Sequence, residues 1–249
     1  MIKTVYFKKK RLDFDKFGVV AIKNLFNNNE IFNLESKINR YIDKNKKNLK
    51  GKNINFINNE INSIHKFNDN FFKKFSTQKK IIQLSSLMLD DKPVFRMCEY
   101  FAKPKKIGLA SPFHQDNFYW NLKNGRALTI WIAIDKATYK NGSVQYLLSS
   151  HKEGLVDHIS SYAPGSSQKV KQILKFKKRY KLKSFLLNRG DCLIHDSLVM
   201  HGSKKNISLN SRRGFTIQIK EKKTKVDKTS FQNYQKSLKL QISKRKLKN

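Results

Sequence analysis

Cysteine is scarce: only Cys98 and Cys192 occur in 249 residues, with no C-x-x-C or Cys/His spacing. That excludes a disulfide scaffold, argues against a structural zinc site and fits a reducing compartment. Proline (4) and glycine (10) are sparse, and no Pro/Gly/Ser-rich linker or internal repeat divides the chain. Acid is scarce too, with 18 Asp+Glu against 53 Lys+Arg and a formal net charge of +35 at pH 7. The longest uncharged apolar run, Ala127 to Ile134, falls far short of the ~20 residues a membrane span needs. The opening stretch, Met1 to Phe14, lacks the apolar segment of a signal peptide. A soluble, cytoplasmic protein with one domain and some decorations is the expectation.

The basic excess consists of 44 Lys and only 9 Arg, accompanied by 24 Asn. Specific phosphate and base readout favours Arg for its two-pronged guanidinium. Lys and Asn spread along the chain therefore read first as a solvated surface from A/T-rich codons, and second as affinity for polyanions. Two segments concentrate charge. Lys169 to Lys183 carries eight bases and no acid and is expected in a loop, while Lys220 to Asn249 carries eleven bases and two acids. The latter is expected to form an amphipathic helix through Phe231, Tyr234, Leu238 and Ile242. Neither has a known nucleic-acid-binding signature.

Phe17 to Ile22 reads as a short strand, followed by a packing helix from about Asn29 with Ile31, Leu34, Ile38, Tyr41 and Ile42 at helical spacing. Asn45 to Asn70, rich in Asn and Lys, reads as a loop. A second helix is expected from Ser76 or Thr77 to Leu89, capped by the hydroxyl residue. After Pro93 the texture turns to short β-prone runs: 94–101, 127–134, 143–148, 184–187, 192–195 and 214–219. Helices first and then six or more strands imply an α+β protein with a sandwich or jelly roll; no helices separate these strands, which disfavours a parallel α/β sheet.

The sharpest local feature is His114-Gln115-Asp116. In an extended strand, residues i and i+2 share a face, so an imidazole and a carboxylate reach one point in space. Two-His-one-carboxylate sets leave metal positions open and are used by non-haem Fe(II) oxygenases. A third ligand is needed. His151 and His158 fall in or beside a polar loop, whereas His195 and His201 share the strand-like run Gly190 to Ser203. Spacing leaves both of the latter open. A ligand has to stand at a strand end, which favours His201 and makes His195 a supporting or structural histidine. In Ser211 to Ile219 the two arginines point to opposite faces, one polar (Arg212, Gly214, Thr216, Gln218) and one largely apolar (Arg213, Phe215, Ile217, Ile219). An arginine on the polar face could clamp a dicarboxylate such as 2-oxoglutarate.

The stretch from Lys103 to Arg213 resembles the phytanoyl-CoA dioxygenase family of Fe(II)- and 2-oxoglutarate-dependent oxygenases. The matching pieces are Lys103-Pro104, Pro112 to Trp120 around His114-Gln115-Asp116, Ile130-Trp131 with Ile134-Asp135, Asn141-Gly142-Ser143, Ser150-His151-Lys152, Gly190-Asp191, and His201-Gly202-Ser203 with Asn206. Phe17-Gly18-Val19-Val20 and Asn29-Glu30-Ile31 fit the family's opening.

The resemblance implies a double-stranded β-helix, a cupin-like jelly-roll core with N-terminal packing helices. In it His114, Asp116 and His201 hold Fe(II), and Arg212 binds the far carboxylate of 2-oxoglutarate; Ser203, Trp131 and Gln115 lie at or beside that cosubstrate. It also implies use of O2, release of succinate and CO2, and hydroxylation of a small organic substrate. Asp116 disfavours a halogenase, which needs that position vacant. Phe118 and Trp120, continuing the parity of His114 and Asp116, are candidates for the substrate wall. One departure is plain: where the family has Pro-Gly-Ser/Thr-His, this chain has Leu148-Ser149-Ser150-His151.

The expected organisation is an oxygenase domain over 1–219, helical over 1–92 and jelly roll over 93–219, with a basic tail over 220–249. A monomer or weak oligomer without obligate nucleic acid is expected. Rival readings are a catalytically silent jelly-roll binding protein and a basic nucleic-acid or anionic-surface binder. A nucleic-acid demethylase combines the two classes.

Overall fold

Ala127–Ala133 is buried along its whole length because it lies inside a sheet covered on both faces. The computed structural model describes residues 2–45, 54–57, 60–67, 69–163 and 166–246. In chain order the elements are α1 (Ile2–Phe17), β1 (Val19–Ile22), α2 (Asn28–Asn45), β2 (Ile54–Ile57), β3 (Glu60–Ile64), α3 (Asn70–Ser76), α4 (Lys79–Met88) and β4 (Pro93–Lys103). They continue as β5 (Ser111–His114), α5 (Asp116–Trp120), β6 (Leu122–Lys123), β7 (Ala127–Ala133), β8 (Val144–Leu147), β9 (His158–Ala163) and β10 (Ser166–Val170). The last are α6 (Ile173–Arg179), β11 (Leu182–Ser184), β12 (Cys192–Asp196), β13 (His201–Ser203), β14 (Arg212–Glu221), β15 (Lys225–Val226) and α7 (Lys228–Lys246).

A seven-stranded sheet in the order β1-β12-β7-β14-β4-β3-β2 faces a four-stranded sheet in the order β11-β8-β13-β5. Every strand pair is antiparallel. This is the double-stranded β-helix of an α+β protein. Alternation along each strand assigns its two faces. On the outer face of the large sheet, Leu128, Ile130, Ile132, Ile194, Phe215 and Ile217 pack against Ile31, Leu34, Phe72, Ile81 and Met88 of the helices. On the inner face, Trp131, Ala133 and Leu193 meet Tyr146 from the small sheet. The helix layer braces the sheet from outside and leaves the inner face free for polar chemistry.

Helix α2 starts with a reciprocal cap. Asn27 Oδ1 accepts from the Glu30 amide and Glu30 Oε2 from the Asn27 amide, both at 2.9 Å. The second helix departs from expectation. Thr77 turns its hydroxyl back to Lys73 O at 2.9 Å and closes α3, so α4 begins two residues later, after Gln78, without a side-chain cap. Within the N-terminal part expected to be helical, the basic N-terminus forms α1; its Phe14 is fully buried and its Arg11 binds Leu87 O at 2.9 Å.

The loop expected over Asn45 to Asn70 is overturned where the structure describes it: β2 and β3 form a hairpin extending the large sheet, and α3 begins at Asn70, while 46–53, 58–59 and 68 lie outside the described residues. The basic segment 169–183 is likewise no loop, since it holds the end of β10, all of α6 and the start of β11. Phe176 of α6 buries against Leu147 and Met200, which ties that segment to the core while its lysines face water. The strand expected at 184–187 lies two to three residues earlier, at β11, with only an isolated bridge from Leu187 to Ala137. The tail does form a helix, α7, with Phe231, Tyr234 and Leu238 half-buried; the side chain of Ile242 lies outside the described ones. Among the described residues, no helix is long and apolar enough to cross a membrane.

Candidate metal centre

Strand pairing assembles the centre. His201 of β13 lies directly opposite His114 of β5 in antiparallel register, with ring centroids 4.4 Å apart. Asp116 follows one extended residue, Gln115, and opens α5. The strand parity used above therefore ends at Asp116. Phe118 and Trp120 sit on a helical turn, Phe118 stacked on His158 at 4.3 Å and Trp120 buried with Leu122 and Ala127.

His114 Nε2 and His201 Nε2 stand 3.8 and 3.6 Å from Asp116 Oδ1. One donor atom from each of the three side chains lies within 4.8 Å of the others. Two donors about 2.1 Å from a common ion are at most about 4.2 Å apart, so one ion can bridge each His–Asp pair. The backbone sets the imidazole tautomers. His114 Nδ1 donates to Pro112 O at 2.8 Å and His201 Nδ1 to Val199 O at 3.0 Å, which leaves both Nε2 lone pairs facing the carboxylate. Burial, reinforced by His114, pushes His201 down to about 3, and burial also lowers His114, which favours the neutral rings that could serve as ligands. Burial alone would raise Asp116, but the surrounding histidines, His201 foremost, hold it well below the usual carboxylate range.

The other carboxylate oxygen is occupied. Asp116 Oδ2 accepts from Thr129 Oγ1 at 2.6 Å and from His195 Nε2 at 3.0 Å, and the Tyr146 hydroxyl donates to His195 Nδ1 at 3.0 Å. His195 thus supports the carboxylate from a distinct position. His151 and His158 lie elsewhere, His151 bonded to Asp15 O at 3.1 Å and His158 accepting the Gln115 amide at 3.1 Å. Gln115 does not offer its side chain to a cosubstrate: its amide donates to Gly154 O and Leu198 O, and its oxygen accepts from Val156 N.

A second feature lies on the inner face of the large sheet. Arg212 and Lys103 are register partners on β14 and β4, each about 5% exposed. Neither forms an ion pair among the described residues, and Arg212 Nε has no hydrogen-bond partner. Lys103 Nζ donates to Leu109 O. Burial, with Arg212 adding repulsion, pushes the Lys103 amine down to about 6; burial lowers Arg212 to about 10. The Arg212 guanidinium lies 5.4 Å from the Trp131 ring. That ring occupies the space a side chain on Gly214 would need, a Cβ there falling 2.2 Å from Trp131 Cζ2. Ser203, two residues beyond His201 on β13, is buried. Arg213 points the other way, to Asp135 at 2.7 and 2.8 Å and Glu35 at 2.6 Å. Lys103 is the functional candidate missed above. Its signal was available: Cys98, Tyr100 and Ala102 face the helices, so Lys103 shares the inner face with Glu99 and Phe101.

The turn that departs from the family pattern places Ser149 at φ +70°, in the left-handed region. Its hydroxyl donates to Lys16 O at 2.8 Å, and Ser150 Oγ accepts from Met200 N at 2.9 Å. A serine therefore takes up the glycine-favouring conformation at this turn.

Residues 14–214 match the phytanoyl-CoA dioxygenase (PhyH) family. Among curated relatives, the chain is 30% identical over 164 residues to the phytanoyl-CoA dioxygenase domain-containing protein 1 homolog of Dictyostelium discoideum, covering 64% of this chain and 57% of that one. It is 28% identical over 160 residues to phytanoyl-CoA dioxygenase of Arabidopsis thaliana, covering 61% and 53%. The chain thus spans little more than half the length of these relatives. Among solved structures it resembles EctD from S. alaskensis with 2-oxoglutarate and 5-hydroxyectoine (TM-score 0.71, 18% identity, 86% of this chain and 75% of that one). It also resembles the epimerase SnoN in complex with Fe3+, alpha ketoglutarate and nogalamycin RO (TM-score 0.73, 13% identity, 89% and 86%). At these identities the two structures show a shared fold.

Proposed function

The chain belongs to the phytanoyl-CoA dioxygenase family, and from that premise we propose that it is an Fe(II)- and 2-oxoglutarate-dependent dioxygenase that hydroxylates a small organic substrate. The observation that carries this is the pairing of two features: a His-Asp-His cluster with both Nε2 lone pairs pre-aimed, beside two buried basic side chains, Arg212 and Lys103, that form no ion pair among the described residues. The orphaned Nε of Arg212 fits a ligand that brings its own carboxylate.

When bound, Fe(II), 2-oxoglutarate and O2 supply the oxidation of a C–H bond to C–OH, with release of succinate and CO2. The chain supplies placement. His114 and His201 offer Nε2, and Asp116 offers Oδ1 while Thr129 and His195 fix Oδ2. Arg212 and Lys103 hold the far carboxylate of the cosubstrate, the Trp131 indole lies against the guanidinium, and Ser203 stands on β13 of the small sheet, two residues beyond His201. The packed inner face around Tyr146 and Leu193 keeps bulk water away from the ligands.

Titration of anaerobic protein with Fe(II) and then 2-oxoglutarate tests this. The expected result is the weak visible charge-transfer band of a chelated keto acid, absent in His114→Ala and Asp116→Ala and requiring more 2-oxoglutarate in Arg212→Ala. Iron binding without that band would remove the catalytic proposal and leave a jelly-roll binding protein.

A further inference from the structure

Beyond the candidate metal cluster and the Lys103–Arg212 pair, the inner face carries a third basic group, Arg96. It lies at a β-bulge: Gln218 of β14 pairs with Met97 and Ile219 with Phe95, so Arg96 is the extra residue of β4. Bulges re-aim side chains. Here the guanidinium lies 5.1 Å from the ring of Trp120 and donates one N–H to Gln218 Oε1. Gln218 is also the register partner of Thr129, whose hydroxyl holds Asp116. A continuous line of contacts thus joins Arg96 to the metal cluster, and Asp116 and Glu99 both lie within electrostatic range of the guanidinium.

Arg96 forms no ion pair among the described residues, and none of its side-chain nitrogens is both buried and unbonded. It keeps donors available. The nearby acid does not use them: Glu99 Oε1 is bound to His65 Nδ1 at 2.6 Å and Oε2 to Gln218 Nε2 at 2.5 Å. Burial works against the His65 imidazolium, but the Glu99 hydrogen bond and charge outweigh it and raise the ring, so Glu99 is engaged with His65 rather than with Arg96. Arg212 is six residues away from Gln218 along β14, roughly 20 Å, so Arg96 belongs to a separate subsite. Tyr234 of α7, seated 5.5 Å from the Tyr119 ring and 6.2 Å from Phe118, walls this end with a residue beyond the family-matched segment.

We infer that Arg96, held on Trp120 and Gln218, anchors a carboxylate of the organic substrate, which makes the substrate class carboxylate-bearing small molecules with the oxidised carbon between that anchor and the metal. This rests on the oxygenase reading of the metal centre.

The test uses the anaerobic protein, with all of its 249 residues, loaded with Fe(II) and saturating 2-oxoglutarate, so that the Lys103–Arg212 end is filled. Acetate, hexanoate, decanoate and phenylacetate are titrated calorimetrically beside their primary amides. At least one carboxylate is expected to bind about tenfold or more tighter than its amide, the effect of one charge-assisted hydrogen bond. Arg96→Gln abolishes that preference and Arg96→Lys keeps part of it. The visible band is expected in wild type and both variants, which shows the fold and metal centre intact. Equal binding of acids and amides, no binding by any of the four acids, or unchanged preference in Arg96→Gln overturns the inference. Loss of the band in wild type is a separate failure, of the cofactor assignment.

Discussion

His195 Nε2 stands 3.0 Å from Oδ2 of Asp116, the carboxylate oxygen that faces away from His114 and His201. The division of labour within one carboxylate follows. Oδ1 is left for an ion, and Oδ2 is clamped by an imidazole that is itself oriented by Tyr146.

Removing this support is expected to weaken the metal site without removing a ligand. His195→Ala should lower Fe(II) affinity about 10- to 100-fold, the usual effect of losing a partner that orients a ligand. His195→Gln, which can still donate to Oδ2, should recover part of it. Anaerobic metal titration checks this, and unchanged affinity in His195→Ala would show the contact to be incidental.

The two adjacent arginines should separate function from stability. Arg212→Ala is expected to weaken 2-oxoglutarate binding by roughly 10- to 150-fold, the loss of a charge-assisted pair at a buried site. Arg213→Ala should leave that affinity unchanged and lower Tm instead, because Arg213 ties β14 to Asp135 and Glu35 on the outer side. A cosubstrate effect in Arg213→Ala would contradict the assignment of faces.

That assignment was legible because strand parity is strict: once the apolar Phe215 and Ile217 turn to the helices on the outer face, Arg212 has one direction left. The members of the candidate metal cluster were legible as residues but not as geometry, since the turn from β5 into α5 replaces the extended parity after Asp116. The β2–β3 hairpin was hidden for a compositional reason. Ile54, Phe56, Ile61 and Ile64 alternate only loosely among Asn residues, and Asn is depleted in strands. Lys103 was overlooked because lysine so seldom buries. Strand parity already puts it on the inner face beside Arg212, and the lack of an ion pair among the described residues is the tertiary fact that completes the sign.

Lys103 is expected to make cosubstrate binding pH-dependent. Burial and Arg212 set its amine at about 6 in the folded protein, against about 10.4 in an unfolded chain. Between these values the unfolded chain binds the extra proton, so the apo protein gains stability as pH rises through that window. A carboxylate placed beside the amine favours the charged form. 2-Oxoglutarate affinity is therefore expected to fall as pH rises above about 6, and binding near pH 8 should take up close to one proton. Calorimetry in buffers of different ionisation enthalpy reads that uptake directly; it should disappear in Lys103→Met.

Gly214 gives the most local test of how Trp131 and Arg212 depend on each other. Its inner face is filled by the indole, and an added Cβ would fall within 2.8 Å of three indole atoms, the nearest 2.2 Å away. The strand cannot yield easily, because β14 is paired on both sides, to β4 and β7. The indole has to move, and it takes with it the surface on which the Arg212 guanidinium rests. Gly214→Ala is accordingly expected to cost about 1–3 kcal/mol of stability as an overpacking change and to weaken 2-oxoglutarate in the same direction as Arg212→Ala. Fe(II) affinity should stay near wild type, since neither His114 nor His201 contacts Gly214. Combining Gly214→Ala with Trp131→Phe removes part of the clash. It should restore some of the lost stability, and a double mutant no more stable than Gly214→Ala alone would show that the strain is taken up by the backbone instead.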